Sequence, residues 1–132
     1  MTTQIFNCLK IILRKNEFTL RRTFASTKQE DFSDSRFATI ECLSKKLEGQ
    51  AADSDGSLFS CYDIELKITL YFATNEENIT AFNDSREAVE NIALNKFLNI
   101  TNVFAKELNY SAVLGRFKRD VIIKLNYTTE AA

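Results

Sequence analysis

A chain of 132 residues with 17 lysines and arginines against 18 aspartates and glutamates carries a net charge of −1, which gives no global reason to bind nucleic acid. Hydrophobic content of 45%, including 11 phenylalanines, is that of a folded chain, and the length suits one compact domain over residues 1–132. There is no histidine, so Ser-His and Cys-His nucleophiles and histidine-ligated zinc are excluded.

The first element is an amphipathic helix over about residues 3–15, because Ile5, Leu9, Ile12 and Leu13 recur at helical spacing and Thr2 or Thr3 can cap the first turn. No basic leader precedes it and Lys10 interrupts its apolar run, so neither a signal peptide nor a membrane span is expected, and the product reads as intracellular and soluble. Phe18 and Leu20 then alternate ahead of Arg21 and Arg22, giving a short strand, and the polar run 25–35 reads as a loop. Lys10, Arg14, Lys15, Arg21, Arg22 and Lys28 against Glu17 alone make this a basic end on a balanced protein.

A second strand places Ala38, Ile40 and Cys42 on one side and Thr39 and Glu41 on the other, with Leu43 and Leu47 pointing to a bulge. The stretch from about 48 to 57, rich in Gly and Asp, predicts a long mobile hairpin loop. It leads to "YDIELKITLYF", residues 62–72, whose even positions are all apolar and whose odd positions are Asp63, Glu65, Lys67, Thr69 and Tyr71. That alternation predicts an antiparallel strand with one buried and one wet face, at the centre of the sheet.

Asp84 with Glu87 forms a capping box for a second helix, with Thr80 as an earlier alternative. Ala88, Val89, Ile92, Ala93 and Phe97 form the stripe expected to lie on the even face of the 62–72 strand. Strands follow at about 103–113 and 118–128, with Gly115 at the turn between them and Val121, Ile123, Leu125 and Tyr127 on one face. The expected class is α+β: a mostly antiparallel sheet of four to five strands, two helices on one face, and the order αβββαββ.

Chemistry has little material here. Asp63 with Glu65, and Asp53 with Asp55, are candidate carboxylate pairs, but the 49–57 loop lacks the EF-hand ligand pattern and a solvated strand face accounts for them better. Phosphate-cradling motifs of the GxxxxGK[ST] and GxGxxG types are missing, so no cofactor is expected. Cys8, Cys42 and Cys61 are odd in number and widely spaced, which suits neither a disulfide framework nor a metal site. Arg116, Lys118 and Arg119 surround Phe117 in a basic and aromatic cluster of the kind that holds nucleic-acid backbones.

The whole layout resembles the tail-terminator proteins of long-tailed bacteriophages. It is carried by "IFNCLKIILRKN", "EDFSDSRFATIECL", "EGQAADSDGS", "CYDIELKITLYFA", "DSREAVENIALNKFLN", "AKELNYSAV" and "RDVIIKLNY". Members often enter the second strand through a proline, and this chain has none. The resemblance implies a non-catalytic subunit of a homohexameric ring that caps the tail tube and docks the head, contacting tube and neck proteins, with DNA only passing through the lumen. It implies a virion location after assembly in the host cytoplasm. Asp63, Glu65, Lys67, Tyr71, Asp53 and Asp55 are then candidates for a subunit or partner interface, and Arg116, Lys118 and Arg119 for a lumen- or partner-facing cluster. Another neck or tail-tube component of similar fold, or a small nucleic-acid-binding module, are the alternatives.

Overall fold

The computed structural model of the protein describes residues 3–22, 35–52 and 54–130. Helix α1 (Thr3–Arg14) buries Ile5, Leu9, Ile12 and Leu13, the four positions its spacing selects. It closes at Glu17, which takes φ 68° where glycine is usual, and Phe18 N–H reaches back to Leu13 O at 3.2 Å. Five strands follow: β1 (Thr19–Arg22), β2 (Phe37–Ala52), β3 (Leu58–Tyr71), β4 (Asn99–Ser111) and β5 (Arg116–Glu130), with helix α2 (Asn78–Ala93) between β3 and β4.

They form one sheet in the order β1-β2-β3-β5-β4. β3 is its centre, as its alternation predicts. β1 runs parallel to β2, and every other pairing is antiparallel. Ile64, Leu66, Ile68, Leu70 and Phe72 share a single buried cluster with Val121, Ile123 and Leu125 of β5 and with residues of both helices, so α1 and α2 cover the same face. No helix of the described residues is long and apolar enough to cross a membrane.

Several boundaries differ from expectation. β2 does not dissolve into a loop at 48; its pairing with β3 continues to Ala52↔Leu58 through two bulges, at Cys42/Ser44 and Leu47/Gly49. β2 therefore runs to Ala52 and β3 begins at Leu58, because β3 supplies a ladder that even Gly49 and Gln50 can follow. α2 begins at Asn78, six residues before Asp84, with Glu77 at the cap and no side-chain cap bond. Phe97 lies beyond the helix end and is exposed, as is Ala93. Ala81, Ala88 and Ile92 of α2 share the buried cluster with the even positions of β3, as the Ala88 and Ile92 stripe predicts, and the helix also lies against α1, β4 and β5. β4 and β5 begin earlier than expected, at Asn99 and Arg116. The expected 25–35 loop lies, apart from Ser35, outside the described residues.

Past the helix layer, β2, β3 and the end of β5 continue as a three-stranded arm. β3 pairs with β5 as far as Phe59↔Glu130, whereas β4 joins β5 only from Asn99↔Asn126 onward.

Candidate functional site

The face of the sheet opposite the helices is where the odd positions of β3 meet their neighbours. Across it, Glu41, Lys67 and Ile122 stand in one row; Ser44, Glu65 and Lys124 in the next; Lys46, Asp63 and Asn126 in a third. Each charged β3 residue thus has a residue of opposite sign directly opposite on a flanking strand, the arrangement in which cross-strand pairs stabilise a sheet. Lys67 Nζ lies 3.3 Å from Glu41 Oε2. Ser44, Lys46, Asp63, Glu65, Thr101 and Lys124, with the backbone of Ile64 and Leu125 between them, line a shallow depression of about 240 Å³.

Toward the other end the face becomes aromatic and closed. Phe37 and Tyr71 stack with ring centroids 4.5 Å apart, and Thr69 Oγ1 donates to Asp120 Oδ1 at 2.8 Å. Burial, with the nearby charge of Asp120, pushes the Tyr71 phenol above its ordinary value, although a hydrogen bond with Thr39 works the other way. At the arm, Glu48 occupies the second bulge, and its hydrogen bond with Asp63, with the charge of that neighbour, raises its carboxyl above the ordinary value.

Asp63, Glu65, Lys67 and Tyr71 are therefore brought together on one face. Asp55 sits apart, exposed in the hairpin turn, and Asp53 lies outside the described residues. Among the described residues no group of three or more Cys, Asp or Glu side chains is placed to hold a metal ion.

The basic cluster is not one surface. Lys118 and Arg116 point to the open face, where Arg116 is 3% exposed, 5.2 Å from the Phe37 ring, and donates to Ser35 O at 3.3 Å. Arg119 points the other way: its Nε donates to Lys106 O at 2.7 Å and its Nη1 to Ser85 Oγ at 3.0 Å, with the Phe82 ring 5.4 Å off. Strand alternation separates neighbours in sequence onto opposite faces, so these arginines serve packing rather than a shared phosphate track.

A hub that sequence reading missed is Arg36. Its guanidinium bonds Glu76 and Asp84 at the start of α2, donates to Asn16 O at 3.0 Å, and lies 5.5 Å and 5.3 Å from the Phe18 and Phe72 rings. Burial opposes its charge, but the two carboxylates outweigh that and raise its pKa. Asp84, taken as a helix cap, belongs to this triad. The sequence matches no protein-family model and no curated protein.

Proposed function

We propose that the protein is a structural assembly subunit, the tail terminator of a long-tailed bacteriophage. It forms a hexameric ring on the tail tube and offers a docking surface to the neck, and no reaction is catalysed. The observation that carries this reading is the helix-free sheet face, on which Asp63, Glu65 and Lys67 alternate with charges of β2 and β5. Such a charge mosaic supplies register and discrimination between partners more than raw affinity, which is what a self-assembling subunit needs. The element order, part of the resemblance to tail terminators, supports the same role.

In this reading the partners are further copies of the chain, the tail tube protein and a head-completion protein. DNA is met only in passage through the lumen, and the location is the virion neck. A second copy meets a different surface from the one it presents, because rings close through heterologous contacts. The division of Arg116 and Arg119 between opposite faces leaves the nucleic-acid-binding alternative without a continuous basic track.

Mass measurement in solution, alone and with purified tail tubes, tests the proposal. A hexameric ring, or one assembled on the tube end, is the expected result. A monomer in both settings that instead binds DNA with steep salt dependence would replace it with the nucleic-acid reading.

A further inference from the structure

The basic end of the chain gathers most of its charge on the helix side of the sheet. Between α1 and β1 runs a groove of about 240 Å³ lined by Lys10, Arg14, Glu17, Phe18, Thr19 and Leu20. Its helix wall carries Lys10 and Arg14 four residues apart, with Phe6 one turn earlier on the same side. Arg22 belongs to the strand that ends the sheet, and its guanidinium lies over the Phe6 ring, 4.7 Å from the centroid. Arg22, Lys10 and Arg14 are all exposed, and together they form a stripe whose length from Phe6 to Arg14 is about 12 Å at 1.5 Å of helix per residue.

Among the described residues no carboxylate stands within ion-pair distance of these three cations. The paired acids of the neighbouring elements are committed elsewhere: Glu41 to Lys67, Glu76 and Asp84 to Arg36, and Glu90 to Arg86. Glu17 is the one carboxylate of residues 3–22. It stands past Arg14 where the helix closes, so it bounds the stripe at one end without dividing it. Arg21 alternates to the other side of β1, 5.8 Å from the Phe37 ring centroid. Like charges held this close raise the local potential, which an anionic partner relieves.

We propose that this groove binds an extended acidic segment of a partner protein, whose carboxylates at alternate positions meet Arg22, Lys10 and Arg14. Alternate side chains of an extended chain point the same way about 7 Å apart, close to the rise of about 6 Å between Lys10 and Arg14. The two arginines suit carboxylates, because a guanidinium donates two parallel hydrogen bonds to one. A nucleic acid fits less well: bases stack on open aromatic rings, and the ring of this stripe, Phe6, is already covered by Arg22. The groove lies on the helix side, so the inference goes beyond the ring reading and does not depend on it.

Fluorescence anisotropy of a labelled peptide of alternating glutamate and threonine tests this, with a glutamine-threonine peptide and oligothymidylate for comparison. Lys10→Glu and Lys106→Glu change the net charge equally at exposed positions, the second on β4, and circular dichroism verifies that both are folded. The glutamate peptide is expected to bind, more weakly as salt rises, and the glutamine peptide to fail. Lys10→Glu should weaken binding about fivefold, the scale of one exposed ion pair, and Lys106→Glu should leave it unchanged. Equal losses in the two variants would show attraction to overall charge and overturn the site, as would a glutamate peptide that does not bind. Oligothymidylate that binds more tightly than the peptide, and loses affinity in Lys10→Glu, would overturn it in favour of nucleic acid. Mass in solution reports the ring separately, so the failure of one reading is told from the failure of the other.

Discussion

Arg36 ties together three places far apart in sequence: the end of α1 through Asn16, the entry to β2, and the start of α2 through Glu76 and Asp84. Removing the guanidinium leaves two carboxylates facing each other over buried phenylalanine rings, and the cost of a broken, largely buried ion pair is about 3 kcal/mol. Arg36→Met is therefore expected to lower the urea midpoint by that equivalent. Arg36→Lys should recover only part, because a single ammonium cannot span both acids in fork geometry. Tyr71 offers a second residue-level test. Its folded pKa is raised by burial and by Asp120, so the stabilisation is present in full below the unfolded value of about 10 and is lost as pH rises through the folded value. Denaturation midpoints should fall in that alkaline window, and Tyr71→Phe should flatten the fall. If the variant and wild type had parallel profiles, burial of this phenol would have no bearing on alkaline stability.

At the level of elements, the open face rests on β3 in the centre of the sheet, with β2 and β5 beside it. Reversing Glu65→Lys and Lys67→Glu together keeps net charge but sets like charges against Lys124 and Glu41 across the strands. Folding should be nearly unchanged, since exposed pairs contribute about 0.2–1 kcal/mol each. Assembly should drop severalfold in sedimentation or native mass measurement, and retained assembly would argue against a role for this face. Most of this architecture was legible in the chain because the alternation of β3 and β5 and the helical spacing of α1 are strong periodic signals. The extent of β2 was not: "EGQAA" has weak strand propensity and is held by its partner, a tertiary effect. The start of α2 was hidden because Glu77 makes no side-chain cap bond, and the Asp84 that looked like a cap is used by Arg36. Neither the parallel sense of β1 nor the separation of Arg116 from Arg119 could be read without strand boundaries. The open face, by contrast, was visible in the odd positions of β3 from the start.

For the whole molecule, one layer of two helices on one five-stranded sheet makes a domain with two different sides. The helix side concentrates the apolar residues that hold the fold, including Ile5, Leu9, Ile68, Ile92 and Ile123. The other side has aromatic packing at Phe37 and Tyr71 but is polar along Asp63, Glu65 and Lys67. A molecule built this way separates the side that buries the core from a side that is polar along Asp63, Glu65 and Lys67, so substitutions at those three positions can vary with little effect on the core. The arm adds a further consequence. β3 crosses two environments: between Ile64 and Leu70 its core-facing side chains are sealed under helices, while Leu58 at its start is half exposed and Tyr62 only partly buried. Opening of the arm exposes little apolar surface and leaves the core intact, whereas opening of the middle of the same strand requires the whole domain to unfold. One continuous strand thus carries two free energies of opening, and its first residues can breathe and re-form on a timescale set locally, independent of the lifetime of the folded protein.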